Sequence, residues 1–187
     1  MPSKSRSEVP QPTRRTLLRG TAALALFGWG AIRGSVAYAA SLRVGAPAPP
    51  ATLVTLDGQR ISTSDLRGQV VILTFWATWC VPCRKELPVL STYAREHAAQ
   101  GLVVLGFSLD EPDGLREVRE LAKSYAFPVG LLVNSSAEGY GRIWRMPANF
   151  TIDREGRLAD NAWKDKQSSW NRERLERVVA PLLATPR

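Results

Sequence analysis

The seven residues Val70–Trp76 (VVILTFW) constrain the fold more strongly than any other stretch of the chain. Their side chains are almost all β-branched, aliphatic or aromatic, without the polar alternation of a strand that has one face in water. Such a run is typical of a strand covered on both faces of a parallel or mixed sheet. Leu102–Ser108 (LVVLGFS) has the same character, so we predict two buried strands with covering layers on both sides.

The segments around these two strands alternate between strand-like and helix-like patterns. Residues 52–56 lead into Asp57-Gly58, which is a strong signal for a hairpin. We expect further strands at residues 129–133, 148–152 and 157–162, a short helical turn at 64–68, and helices at 83–98, 115–125, 137–144 and 170–184. This order predicts one α/β sandwich in which helices flank a mixed central sheet, with an N-terminal β-hairpin as an extension.

The first 39 residues differ in composition from the rest of the chain. They hold six basic residues against Glu8 and account for most of the net charge of +8. A basic start, a short apolar run and the small-residue site Ala37-Tyr38-Ala39 are typical of an export signal cleaved before Ala40. Residues 13–19 (TRRTLLR) fit the twin-arginine pattern, with an ordinary Sec signal as the alternative. We predict export to the bacterial periplasm; a retained membrane anchor is the second interpretation.

The rest of the chain reads as a short lead-in followed by one domain. Residues 40–50 are rich in proline and alanine, which favours an extended segment. Residues 51–187 form the predicted domain. Its charges are mixed in sign, and no cluster of aromatic and basic side chains stands out in the sequence. These features argue against a nucleic-acid partner.

Cys80 and Cys83 are the only cysteines of the chain, and three chemical roles suit their spacing. A structural zinc site needs four ligands, and His97 is the only histidine that could join the two thiols. A structural disulfide across so small a loop constrains the unfolded chain very little. Redox exchange is favoured by the same small loop, because the two thiols must meet repeatedly. The pair is therefore predicted to be redox-active.

The position of the pair supports this interpretation. Cys80 follows the predicted strand Val70–Trp76 closely and lies where a helix should begin. Unpaired backbone N–H groups and the helix dipole favour a thiolate there and lower the pKa of the thiol. Cys83 lies one turn further into the helix, where we expect it to be shielded and to react second.

The segment around the cysteines, residues 75–88 (FWATWCVPCRKELP), resembles the active-site segment of the thioredoxin superfamily. It is most similar to the exported TlpA/ResA-type thiol-disulfide oxidoreductases. The resemblance extends through residues 45–49 (GAPAP), 56–58 (LDG), 65–68 (DLRG), 104–111 (VLGFSLDE), 127–129 (FPV) and 146–153 (MPANFTID). It implies a thioredoxin-like α/β sandwich over the predicted domain.

The resemblance also implies a role for each residue of the motif. Cys80 is the attacking thiolate, Cys83 resolves the mixed disulfide, and Pro82 restricts the loop between them. Pro147 is expected to form a cis peptide bond and to present the backbone of Met146 to a client peptide.

The proton acceptor for the reaction is less obvious from the sequence. Thioredoxins carry a buried Asp six residues before the first cysteine, and this chain has Thr74 there, which cannot act as a base. Glu86 matches a glutamate of the TlpA/ResA-type relatives and lies three residues beyond Cys83. We predict that partial burial raises its pKa into a useful range. The alternative is a solvated glutamate beside Arg84 and Lys85.

Several other side chains invite an interpretation. Trp79, next to Cys80, is expected to line the substrate surface. Trp144, just before the proline loop, either contacts partners or lies in the core. We expect His97 to be a core or helix-end residue. Asp110, Glu111 and Asp113 are expected to form a loop with helix-capping carboxylates, and none of these side chains is expected to bind a metal.

Together these features predict an enzyme, a periplasmic protein-disulfide reductase. The resemblance implies disulfide-containing client proteins, in cytochrome c maturation or copper-site assembly, and a membrane thiol-transfer protein as electron donor. No cofactor is expected beyond the redox-active disulfide of Cys80 and Cys83. An oxidant or isomerase of the same fold is the nearest alternative, because the Val81-Pro82 dipeptide does not fix the redox potential.

Two other classes of this fold fit the sequence less well. Peroxiredoxins place their nucleophile in a Pro-x-x-x-Thr/Ser-x-x-Cys arrangement, and this chain has Leu73 and Ala77 at the proline and hydroxyl positions. Related copper chaperones use a wider cysteine spacing and a histidine in the proline-side loop. The sequence has neither feature.

Overall fold

The computed structural model describes residues 42–164 and 169–185. The predicted export signal and its cleavage site lie outside these residues. Residues 42–50 contain no helix and run beside Leu158. The Gly45 N–H donates to the Leu158 carbonyl (2.8 Å), and the Leu158 N–H donates to the Ala46 carbonyl (2.9 Å). The lead-in is therefore hydrogen-bonded to the edge of the domain.

The strands form one hairpin and one five-stranded sheet. β1 (Thr52–Val54) and β2 (Arg60–Ser62) pair antiparallel as the predicted hairpin. The central sheet consists of β3 (Val70–Trp76), β4 (Leu102–Ser108), β5 (Val129–Leu131), β6 (Ala148–Ile152) and β7 (Leu158–Asn161). Its order is β5-β4-β3-β6-β7, with β3, β4 and β5 parallel and β6 and β7 antiparallel to their neighbours. The predicted mixed sheet is confirmed, and the two apolar runs are adjacent.

The helices lie largely where the sequence predicts them. They are α1 (Val81–His97), α2 (Leu115–Ala122), α3 (Arg172–Val178) and α4 (Ala180–Ala184). A 3-10 turn at Thr63–Leu66 corresponds to the predicted short helical turn. In the described part of the chain, no helix has the length and apolar character needed to cross a membrane.

The helix predicted at residues 137–144 is wrong. Only Glu138–Tyr140 forms a 3-10 turn, and the chain leaves it through Gly141 at φ +79°, in the left-handed region that favours glycine. Gly139 packs so closely on Pro49 that an added Cβ would lie 2.3 Å from the proline ring. The Tyr140 hydroxyl donates to the Pro49 carbonyl at 2.8 Å. Contacts with the lead-in therefore override the helical pattern.

The single helix predicted at residues 170–184 is two helices. The Asn171 side chain caps α3 by accepting the Arg174 N–H at 2.8 Å, so Trp170 lies before the helix. Pro181 has no N–H to continue the hydrogen bonds of the helix, and the helix is interrupted at Val179. The start of α3 after Asn171 leaves Trp170 outside the helix, where its backbone reaches the buried face of the sheet.

The central sheet separates two apolar cores. Val71, Leu73 and Phe75 of β3 face the core on the hairpin side. The alternate residues Val70, Ile72 and Trp76 face the core that α1 and the C-terminal helices cover. By the same alternation Thr74, the one polar residue of β3, points to the helix side. The predicted α/β sandwich is confirmed.

Candidate active site

The two cysteines form a disulfide at the start of α1. The S–S distance is 2.05 Å and the Cα atoms are 5.3 Å apart. Cys80 is the N-cap residue, and its Sγ accepts the Cys83 N–H at 3.3 Å. Cys80 is 6% exposed and Cys83 is fully buried, so a partner disulfide can reach only the first sulfur. The N–H that points at Cys80 Sγ would stabilise a thiolate there after reduction.

Exposed apolar side chains flank the reachable sulfur. Trp79 is 67% exposed and Val81 is 60% exposed, although both are large apolar residues. Pro82 lies in the first turn of α1, also exposed. Trp76, by contrast, is buried at the end of β3. The surface around Cys80 is therefore apolar without being covered by the described residues.

The proline loop reaches the same end of the sheet. The peptide bond between Met146 and Pro147 is cis, as the sequence resemblance implies. Phe75 pairs with Ala148 in the antiparallel β3–β6 register. Pro147, which precedes Ala148, therefore lies at the end of the sheet where the chain leaves β3 toward Cys80. Met146 packs half-buried against the helix-side core. Both segments that the sequence assigns to the site thus come together.

Trp144 lies on the surface, which excludes its interpretation as a core residue. Its ring is exposed and stacks on Trp163, with ring centroids 5.6 Å apart and an angle of 11° between the planes. The Arg145 guanidinium lies 5.5 Å from the centre of the Trp144 ring. The exposed Trp144 ring and Arg145 directly precede Met146 and Pro147 in the chain, so they lie beside the proline loop.

Glu86 is buried, which excludes the alternative of a solvated glutamate. It is 2% exposed and lies one turn beyond Cys83. Its carboxylate accepts hydrogen bonds from the Trp170 N–H (2.7 Å) and from the Asn149 side-chain amide (3.1 and 3.3 Å). The Thr74 hydroxyl lies at 3.5 Å. Four separate segments of the chain therefore meet at this one carboxylate.

Burial raises the pKa of Glu86 to about 7, against an ordinary value of 4.5. The hydrogen bonds from Trp170, Asn149 and Thr74 and the positive charge of Arg174 act in the opposite direction and only partly compensate. A carboxyl group with this pKa can accept and release a proton near neutral pH.

Asn149 and Trp170 were not predicted from the sequence as part of the site. Asn149 lies opposite Thr74 in the β3–β6 register, and the C-terminal segment brings the Trp170 N–H to the same place. The only sequence signal was a polar residue at the second position of the predicted strand ANFTI. Such a residue must find a partner when it is buried.

A second buried carboxylate, Asp110, holds the loop before Cys80. It accepts the Thr78 N–H (2.9 Å), the Thr78 hydroxyl (2.6 Å) and the Ser108 hydroxyl (2.6 Å). The prediction that Asp110 caps a helix is wrong, because its oxygens are used by the loop between β3 and α1. Asp110 therefore fixes the path of the chain two residues before the first cysteine.

Among the described residues, His97 and the other possible metal ligands do not form a site. The His97 Nδ1 lies 2.7 Å from the Gln100 side-chain oxygen at the end of α1, in agreement with a helix-end residue. Within residues 42–164 and 169–185, no three His, Cys, Asp or Glu side chains are placed to hold a metal ion.

Known proteins similar to this chain are named for thiol-disulfide chemistry. The thiol-disulfide oxidoreductase ResA of Bacillus cereus is 29% identical over 135 residues, which cover 71% of this chain and 77% of the relative. ResA of Bacillus subtilis (strain 168) is 33% identical over 120 residues, which cover 63% and 66%. The crystal structure of a thiol:disulfide interchange protein of the thioredoxin family from Chlorobium tepidum TLS superposes with a TM-score of 0.62 at 27% identity. It covers 77% of this chain and 99% of that one.

These similarities agree with the fold and with the paired cysteines. Residues 44–161, well over half of the chain, match the AhpC/TSA family. The relatives named above are thiol-disulfide oxidoreductases, and the solved structure has the same thioredoxin fold. The chain belongs to the AhpC/TSA family, and within it to the thioredoxin-like, ResA-type thiol-disulfide oxidoreductases.

Proposed function

We propose that this thiol-disulfide oxidoreductase works as a reductant of disulfides in client proteins. In the reduced enzyme, the Cys80 thiolate attacks one sulfur of the client disulfide, forms a mixed disulfide and releases the other client sulfur as a thiolate. Cys83 then loses its proton, attacks Cys80 Sγ and releases the second client thiolate. The client gains two electrons, and the enzyme is left with the observed Cys80–Cys83 disulfide.

The observation that carries this proposal is the unequal exposure of the two sulfurs. Cys80 keeps 6% exposure and its sulfur lies at a helix N-terminus, whereas Cys83 is fully buried. A client can therefore form a mixed disulfide only with Cys80, and Cys83 is close enough to displace the client. Pro82 limits the conformations of the loop that joins them.

The client segment is proposed to bind along the proline loop. Pro147 brings the backbone of Met146 to the end of the sheet where β3 leads into the cysteine loop. A client peptide would pair with the Met146 backbone there in an extended, strand-like conformation. The exposed indole of Trp79 provides apolar contact area next to Cys80.

Glu86 is the proposed proton acceptor for Cys83. It belongs to the same helix, one turn further on, and it is buried on the side of the helix that faces the sheet. Its pKa of about 7 lets it take the thiol proton in one step and return it when the dithiol is restored.

The cellular setting is part of the same proposal. Residues 1–39 direct the enzyme to the periplasm, and a membrane thiol-transfer protein restores the dithiol. The clients are proposed to be apocytochrome c or copper-site assembly proteins. The basic and apolar pattern of the leader and the resemblance to TlpA/ResA-type enzymes support this assignment.

The equilibrium redox potential of the cysteine pair tests the direction of the reaction. The enzyme is equilibrated with glutathione buffers of known ratio, and the dithiol fraction is measured by thiol alkylation and mass spectrometry. We expect a potential well below that of glutathione, as a reductant requires. Cys80→Ser is the control and should show no such equilibrium. A potential well above that of glutathione would contradict the proposal and make the enzyme an oxidant.

A further inference from the structure

Asn149 is a polar residue in a buried apolar strand that the proposed reaction does not yet use. It is fully buried in β6, between Ala148 and Phe150. Its side chain points to the helix side of the sheet, since its two neighbours belong to the core on the hairpin side. A buried amide is unfavourable unless it is hydrogen-bonded. The partner that α1 provides is the Glu86 carboxylate.

The contacts of the two carboxylate oxygens differ. Oε1 lies 3.1 Å from the Asn149 amide nitrogen and 3.5 Å from the Thr74 hydroxyl. Oε2 lies 2.7 Å from the Trp170 nitrogen and 3.3 Å from the same Asn149 nitrogen. The Asn149 amide group therefore spans both oxygens, and it fixes the plane of the carboxylate relative to α1.

We propose that Asn149 is the positioning residue for Glu86, and that the Trp170 N–H of the C-terminal segment is the second donor that completes the proton-accepting site. The inference rests on the proposed role of Glu86 in the reaction. In this scheme Asn149 acts on the cysteines and the client through the carboxylate alone. The C-terminal segment is then a part of the active site as well as a part of the core.

The charges around Glu86 set the expected direction of the effect. On α1 Cys83 is held in the disulfide and does not titrate in the oxidised protein, and Arg84 and Lys85 are exposed. From the described part of the C-terminal helices Arg174 acts on Glu86, and its charge is shared with Asp160, 2.7 Å away. The donors from β3 and β6 are neutral. Because the Asn149 amide donates to the charged form, its removal favours the protonated form and raises the pKa of Glu86.

The test is a direct titration of Glu86 in full-length oxidised protein. The ¹³Cδ resonance of Glu86 is followed against pH in the wild type and in Asn149→Leu, which keeps the number and branching of the side-chain heavy atoms but has no donor. We expect the midpoint in the variant to lie about one pH unit higher. The matched control is Thr151→Val, on the same strand and the same face. Among the described residues the Thr151 hydroxyl has no hydrogen-bond partner, so the midpoint should not move.

An unchanged midpoint in Asn149→Leu would overturn the inference. If that variant does not fold, Asn149→Asp keeps the shape of the side chain and places a second carboxyl group beside Glu86. Two carboxylates so close cannot both ionise readily, so one titration step should move above the wild-type midpoint. A single Glu86 midpoint equal to that of the wild type would then overturn the inference.

The outcome can be separated from that of the proposed function. The pH dependence of disulfide reduction is recorded in parallel for the wild type, Glu86→Gln and Asn149→Leu. If Glu86→Gln leaves the profile unchanged, Glu86 is not the proton acceptor, while the carboxyl titration still decides the role of Asn149. If both roles hold, the inflection of the profile moves to higher pH in Asn149→Leu together with the titration midpoint.

Discussion

Two buried carboxylates belong to the segments on either side of the disulfide, since Asp110 binds Thr78 before Cys80 and Glu86 follows Cys83 on α1. Their surroundings differ. Asp110 is 7% exposed and Glu86 is 2% exposed, so burial does not separate them. Asp110 accepts three hydrogen bonds of 2.6 to 2.9 Å from Thr78 and Ser108, including two from hydroxyl groups. Glu86 has one short bond, from the Trp170 N–H, and three contacts of 3.1 to 3.5 Å.

The difference shows that the number and length of the hydrogen bonds a buried carboxylate accepts decide whether it serves as a structural anchor or as a proton acceptor. A carboxylate with short bonds on both oxygens is fixed by its donors and serves as an anchor. One with fewer and longer bonds keeps much of the penalty of burial, and its proton affinity rises. In this enzyme Asp110 is the anchor and holds the loop before Cys80. Glu86, the poised group with the raised pKa, lies beyond Cys83. The following predictions test this contrast.

Removing the anchor should have the largest effect on stability. Asp110→Ala leaves the Thr78 N–H and two hydroxyl groups without their acceptor in a buried site. We expect a loss of about 4 kcal/mol in the free energy of unfolding, measured by urea denaturation of the oxidised protein. The exposed Asp113→Ala is the matched control and should change stability by less than about 0.5 kcal/mol. A loss below about 1 kcal/mol in Asp110→Ala would mean that Asp110 is not an anchor.

Replacing the poised group should have a smaller effect that depends on pH. The folded-state pKa of Glu86 is about 7, and its ordinary value is 4.5. Well below pH 4.5 the group is protonated in both states and has no linkage effect. As the pH rises to about 7, the unfolded chain loses the proton and the folded chain keeps it, so the wild type loses stability. Relative to Glu86→Gln, the wild type should lose about 3 kcal/mol between about pH 4 and pH 8.

This prediction is checked by urea denaturation of both proteins across that pH range. The quantity of interest is the difference between the two stabilities, because other titrating groups cancel in it. The exposed Glu117→Gln is the control, and its difference from the wild type should stay small at every pH. A constant difference between the wild type and Glu86→Gln would show that the carboxyl titrates alike in the folded and unfolded chains.

The sequence predicted the features of the fold and the site that depend on residues close together along the chain. β3 and β4 were found with their observed bounds, because a nearly continuous apolar run of seven residues leaves few alternatives. Cys80, Cys83 and Glu86 lie within one strand–helix unit, and their spacing already places them along α1. The raised pKa of Glu86 agrees with the expected effect of burial.

What the sequence did not predict depends on contacts between distant segments. The pairing of Asn149 with Glu86 requires the β3–β6 register, and the Trp170 N–H is available because the C-terminal helix starts after Asn171. Asp110 follows β4, and its use by Thr78 requires β3 and β4 to end side by side. The helix predicted at residues 137–144 was lost for the same reason, since Gly139 is fixed by packing on Pro49.

The smallest predicted effect concerns Thr74, which lies where thioredoxins carry a buried Asp. Its hydroxyl is 3.5 Å from Glu86 Oε1, at the limit of hydrogen bonding, so it contributes little to the charged form. Thr74→Val keeps the shape and should change the free energy of unfolding at about pH 8 by less than about 0.5 kcal/mol. It should also move the Glu86 titration midpoint less than Asn149→Leu does. A shift as large as that of Asn149→Leu would make Thr74 a full donor. The Glu86 site would then resemble the hydroxyl-rich Asp110 site, and a shortage of hydrogen-bond donors could no longer explain the raised pKa of Glu86.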